Sequence, residues 1–138
     1  MLVKMIPTRV HGVLDYLTAG TLLALPRMLG WSDRVTRLMT GAAVGTLGYS
    51  LMTRYEMGLV KLLPMRMHLA LDAMSGAAFC AAPWMLPDEP DEVKQALVGL
   101  GLFELVAALT SRTETAQERA VEHIGEWRGQ PVAEASHA

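Results

Sequence analysis

Pro7-Thr-Arg9-Val-His11-Gly-Val-Leu14-Asp15-Tyr-Leu-Thr18-Ala19 and Pro64-Met-Arg66-Met-His68-Leu-Ala-Leu71-Asp72-Ala-Met-Ser75-Gly76 lie over one another at an offset of 57 residues. The match continues from Pro26-Arg-Met-Leu29 to Pro83-Trp-Met-Leu86. One extra residue in the following loop moves the offset to 58, placing Thr53-Arg54-Tyr-Glu56 over Ser111-Arg112-Thr-Glu114. Each repeat therefore reads as one helix, a short loop, and a second helix ending in [Thr/Ser]-Arg-x-Glu. Repeat 1 covers about residues 7–56 and repeat 2 about 64–114. Pro7 and Pro64 sit where a helix starts, a position that tolerates proline. Two helices per repeat is an even number, so both repeats run in the same direction.

The distribution of charge sets the environment. His11 and Asp15 are the only ionisable side chains between Val10 and Pro26 that carry charge readily, and there are none from Leu38 to Thr53. His68 and Asp72 are alone between His68 and Pro87, and Glu104 is alone between Gln95 and Ser111. Charges crowd the segments between these runs. A helix of a soluble bundle carries a polar face, and these do not. The runs fall short of the length of about 18 that marks an easy membrane span. Tilt and snorkelling arginines close that gap. The expectation is an all-α, four-helix transmembrane bundle made of two tandem helical-hairpin repeats, spanning residues 1–112. A soluble bundle is the structural alternative.

Composition agrees. About half the residues are hydrophobic but only 6% are aromatic, which suits helices packed through small residues rather than a sheet. The pair Gly41-x-x-x-Gly45 permits close helix contact. A net charge of −2 gives no footprint for nucleic acid. The single cysteine, Cys80, excludes an internal disulfide and reads as a small buried hydrophobe. No cleavable signal peptide is visible, so the first hydrophobic segment is read as a retained span. Lys4, Arg9, Arg54, Lys61, Arg66, Arg112, Arg119 and Arg128 lie on the side of the termini, against Arg27, Arg34, Arg37 and Lys94 opposite. That excess predicts a multi-pass plasma-membrane protein with cytoplasmic termini. The bilayer is its expected partner, with a homo-oligomer as a further candidate. Residues 113–128 read as an amphipathic interfacial helix, and 129–138 as a loose tail.

The candidate site is ionisable and buried. His11 and Asp15, like His68 and Asp72, are four residues apart and share a helix face. Parallel repeats put both pairs at one depth, and Glu104 falls at the same level, roughly 12 Å in from the terminal side at 1.5 Å per residue. A charged group at the centre of a span costs about 2.5–3.5 kcal/mol. Internal pairing, His11 with Asp72 and His68 with Asp15, is the plainest compensation. The sharper reading is a divalent metal held by His11, Asp15, His68, Asp72 and Glu104, since two nitrogens and two carboxylates suit tetrahedral zinc. The ligand types and spacing of His11, Asp15, His68 and Asp72 are similar to the membrane site of the cation-diffusion zinc transporters, though the helix count differs. Haem b with histidine axial ligands ranks below zinc, because an aspartate one turn from each histidine crowds a macrocycle. Proton or metal-ion conduction through the shared polar centre is the remaining class. The expected function is a non-enzymatic membrane protein that pairs helices or binds metal. A metal- or haem-dependent membrane oxidoreductase and an ion-transport subunit are the alternatives.

The stretch Leu71-Asp72-Ala-Met-Ser-Gly76-Ala-Ala-Phe-Cys-Ala-Ala-Pro83-Trp84 resembles the SPW repeat family of small prokaryotic membrane proteins. Its repeat unit places a polar residue and a glycine early in a helix and Pro-Trp near the end. Here Ala82 replaces the serine before Pro-Trp, and repeat 1 has Pro26-Arg27 in place of the dipeptide. The resemblance implies a duplicated helical hairpin in a membrane and carries no activity with it.

Overall fold

The computed structural model describes residues 4–116 together with 119, 120 and 124. Four helices follow in order: α1 (Thr8–Met28), α2 (Asp33–Leu51), α3 (Met65–Met85) and α4 (Asp91–Thr110). No strand occurs among the described residues, and the helices form a bundle of two hairpins. Most of the segment expected to be an amphipathic helix, and all of the tail, lie outside the described residues.

Pro7 and Pro64 occupy the N-caps of α1 and α3 in extended conformation. Proline has no side-chain acceptor to offer the first turn, so each helix starts without a side-chain cap. Pro26 and Pro83 fall in the last turns of those same helices. After α1 the chain turns through Gly30 at φ +64°, a left-handed conformation that suits glycine just past a helix end. Ser32 then caps α2 by accepting from the Val35 N–H at 3.2 Å.

Each helix buries one stripe, and the stripes change character along the bundle axis. At the end carrying the α1–α2 and α3–α4 loops the core is apolar, built on Leu22, Val35, Met39, Phe79, Val93 and Leu97. Toward the termini the stripes become polar: His11 and Asp15, Thr46 and Ser50, His68 and Asp72, and Glu104. The close approach within the bundle is between Gly76 and Gly101. A Cβ added at Gly76 would stand 2.7 Å from the Gly101 carbonyl oxygen, and one at Gly101 only 2.5 Å from that of Gly76. Gly41 and Gly45 have a different place from the one expected. A Cβ at either meets nothing within 4 Å, because both lie on the exposed face of α2.

The repeats are joined crosswise at the terminal end by two matching straps. Ile6 pairs with Ser111 and Leu63 pairs with Thr53, each as an isolated parallel bridge. The hydrogen bonds correspond one for one. Met5 N–H donates to Thr110 O at 2.8 Å and Arg112 N–H to Ile6 O at 2.9 Å; Leu62 N–H donates to Met52 O at 3.0 Å and Arg54 N–H to Leu63 O at 2.8 Å. Each strap ties the entry of one repeat to the exit of the other, which is the contact pattern of a pseudo-two-fold.

The outward faces carry apolar side chains, including Val13 and Leu17 on α1, Val44 on α2, Met74 on α3, and Phe103 and Val106 on α4. By length and composition, α4 is the one described helix that meets the requirements of a membrane span.

Candidate metal centre

The two straps place the hydroxyls that decide the chemistry. Ser111 and Thr53 are the first residues of the repeated [Thr/Ser]-Arg-x-Glu ends, and both are fully buried. The Ser111 hydroxyl donates to Ala107 O at 2.7 Å, and the Thr53 hydroxyl to Tyr49 O at 2.6 Å. A hydroxyl has one hydrogen to give. With that hydrogen on the helix carbonyl, Ser111 Oγ can only accept from His11 Nδ1 at 2.7 Å. Thr53 Oγ1 likewise accepts from His68 Nδ1 at 2.8 Å. Each repeat's helix end therefore holds a proton on Nδ1 of the other repeat's histidine, which leaves Nε2 as the lone-pair nitrogen of the neutral ring.

Those two Nε2 atoms face one another at 3.2 Å. Both aspartates converge on the same point. His11 Nε2 lies 3.2 Å from Asp15 Oδ1 and 2.9 Å from Asp72 Oδ2; His68 Nε2 lies 3.1 Å from Asp15 Oδ2 and 3.2 Å from Asp72 Oδ2. All four residues are buried, and one ligand atom from each lies within 4.8 Å of the others. Both cross-repeat pairs expected from the sequence are present, together with the two pairs within each helix.

Four such atoms meeting at this separation call for positive charge between them, supplied by a metal ion or by protons on Nε2. A tetrahedral shell with metal–ligand bonds of about 2.0–2.1 Å has edges of about 3.3–3.4 Å. The observed separations of 2.9–3.2 Å fall a few tenths of an ångström inside that shell. Two imidazole nitrogens and two carboxylate oxygens are a ligand set for zinc, and N–H groups donating from the far side of each ring are the usual outer shell of such histidines.

The carboxylates have an outer shell too. Tyr49 donates to Asp72 Oδ1 at 2.6 Å, and Tyr55 and Ser50 donate to Asp15 Oδ2 at 3.2 and 3.4 Å. Tyr55 lies in the α2–α3 loop and is 1% exposed. It tucks against α1 because Gly12 leaves room: a Cβ there would stand 2.5 Å from the Tyr55 ring. Burial and the Asp15 carboxylate push the Tyr55 phenol well above its ordinary range, so it stays a donor. Beyond the centre, the exposed Glu56 accepts from the Thr8 hydroxyl at 2.7 Å. Burial opposes ionisation of Glu56, but the Thr8 bond and backbone donors outweigh it and hold the carboxyl below its ordinary value.

Glu104 departs from the expectation that it completes the same ligand shell. It is 7% exposed and lines a small cavity beside the centre, and neither of its carboxylate oxygens makes a hydrogen bond. The group with metal-ligand spacing is His11, Asp15, His68 and Asp72. Haem with these histidines as opposed axial ligands does not fit, since nitrogens 3.2 Å apart leave no room for a macrocycle between them.

Thr53, Ser111, Tyr49, Ser50 and Tyr55 were not legible as site residues in the sequence. Thr53 and Ser111 did carry a signal, as the repeated hydroxyl before Arg-x-Glu, but nothing in one dimension points it at a histidine of the other repeat. Comparison of the chain with protein-family models, with curated proteins and with solved structures finds no match.

Proposed function

We propose that this chain is an integral membrane protein that holds one divalent d-block cation, zinc by its donor set, between its two repeats. The observation that carries the reading is the tautomer assignment. Both Nδ1 atoms donate to hydroxyls, so both Nε2 lone pairs and two carboxylates converge on one buried point. Four protein ligands complete a tetrahedron and leave zinc no open position of the kind hydrolysis uses. Zinc has no redox chemistry, so the centre suits holding the repeats together, or passing a cation, better than oxidoreductase catalysis.

The membrane half of the reading rests on three supports. The outward faces of the helices are apolar, α4 has the length and hydropathy of a span, and the Pro83-Trp84 stretch resembles SPW repeats. Trp84, 80% exposed near the end of α3, suits an interfacial anchor. The excess of basic residues on the side of the termini supports a cytoplasmic placement of that side. A metal linking α1 to α3 in lipid also gives the repeats an attraction that the hydrophobic effect does not supply there.

Elemental analysis of the detergent-purified chain, without added metal or an affinity tag, tests the centre. Zinc near one per chain, lost together in the Asp15→Asn/Asp72→Asn variant, is the expected result. A folded, metal-free protein that takes up no zinc on titration refutes it and leaves imidazolium–carboxylate pairing as the account of the site. Alkaline extraction of membranes tests the other half: release of the chain into the soluble fraction rules out an integral bundle.

A further inference from the structure

The cavity beside the centre is bounded by Asp15, Thr46, Tyr49, Asp72 and Glu104 and has a volume of about 20 Å³. That is enough for one water-sized occupant. Two of its three lining hydroxyls, those of Tyr49 and Thr46, have no hydrogen left to give; the third is that of Thr18. Tyr49 donates to Asp72 Oδ1, and Tyr49 Oη, its hydrogen spent, takes the hydroxyl hydrogen of Thr46 at 3.2 Å. Glu104, a residue 93% removed from solvent, adds two oxygens that make no hydrogen bond of normal geometry, with the Ser75 hydroxyl as a neighbour. A buried carboxylate left in this way is strongly unfavourable unless positive charge, a cation or a proton, is supplied.

The charge balance says how much. Accepting the divalent centre proposed above, Asp15 and Asp72 neutralise the metal, and the charge of Glu104 remains. We propose that the Glu104 cavity is a second cation site, taking one small monovalent cation of the sodium class. The donors are all oxygens: the Glu104 carboxylate, the Asp72 and Asp15 carboxylates and the Thr46 and Tyr49 hydroxyls. That is a hard set, unlike the mixed nitrogen and oxygen set of the first centre. All four helices line the site, so occupancy also relieves repulsion among three carboxylates on three different helices.

The test is equilibrium binding of radioactive sodium to the zinc-loaded chain in detergent, with choline as the background cation. Wild-type protein should retain one sodium per chain. Glu104→Gln should lose the sodium and keep the zinc, and Thr46→Val, which leaves every carboxylate in place, should weaken sodium retention while keeping zinc. Thr46→Val keeps the test decisive should Glu104→Gln fail to fold. No sodium on zinc-loaded wild type overturns the proposal and leaves the metal centre standing, with Glu104 then neutralised by a proton. Equal sodium retention in both variants overturns it as well. Sodium retained through Glu104 and Thr46 in a chain that binds no zinc supports this site and refutes the first centre.

Discussion

Removing the hydroxyl of Ser111 should weaken binding of a metal that the hydroxyl itself never touches. His11 Nδ1 donates to Ser111 Oγ at 2.7 Å only because that hydroxyl spends its own hydrogen on Ala107 O. In Ser111→Ala the His11 ring has two choices. Keeping its proton on Nδ1 leaves a buried N–H without a partner, which costs about 1–3 kcal/mol. Moving the proton to Nε2 satisfies it against Asp72 at 2.9 Å but removes the lone pair that binds metal. The metal-free ring can take the second course and avoid the penalty, whereas the metal-bound ring cannot, so binding weakens by about 1–3 kcal/mol. Outer-shell hydrogen bonds of metal-ligating histidines are typically worth about 10–100-fold in affinity, or about 1.4–2.8 kcal/mol. The two routes agree. Thr53→Val makes the same change at His68, and the double variant should bind more weakly than either single one. Zinc affinity is measured by competition with a chromophoric chelator in detergent, with Ser111→Thr as the rescue that restores the acceptor. Affinities of Ser111→Ala and Thr53→Val indistinguishable from wild type would refute the tautomer argument and with it the strongest support for the centre.

Further outcomes follow from other parts of the molecule. Asp15→Asn with Asp72→Asn should lower the thermal midpoint of the protein as purified. After metal stripping the gap to wild type should close, because an amide NH2 can donate to a bare Nε2; a gap that survives stripping contradicts metal stabilisation. Gly76→Ala drives a Cβ to 2.7 Å from the Gly101 carbonyl oxygen and should destabilise by about 1–3 kcal/mol, as overpacked sites do. Gly41→Ala meets open space on α2 and should be neutral or stabilising by about 0.5–1 kcal/mol in thermal melts, through helix propensity. Glu56 has a folded-state pKa below its ordinary value near 4.5. Its contribution to stability is therefore complete above that value and is lost as pH falls through the lower folded one. Thr8→Val should move the Glu56 titration upward, read by carboxyl NMR; an unmoved titration would mean the Thr8 bond at 2.7 Å does not hold it down.

The sequence by itself determined the number and type of elements and their duplication. Uncharged runs between charged loops mark the helices. Pro7 and Pro64 mark the two matching starts, because proline is tolerated where a helix begins and disfavoured within it. The i, i+4 spacing also put His11 over Asp15 and His68 over Asp72 before any fold was known, since that is a property of one helix. Matching depth in parallel repeats then brought both pairs to one level. What the tertiary structure decided is everything that depends on how two helices meet. The crossed straps aim Ser111 at His11 and Thr53 at His68, so repeat 2 sets the protonation of repeat 1 and the reverse. Gly76 and Gly101, rather than Gly41 and Gly45, take the close helix contact, because the rotation of α2 in the bundle turns its glycines outward. Glu104 shares the depth of the aspartates, as its position in sequence requires, yet it lines the cavity beside the four ligands rather than joining them. Depth along a helix is fixed by a rise of about 1.5 Å per residue, which the sequence carries. Direction across the bundle is fixed by packing between helices, and that appears only when the chain is folded.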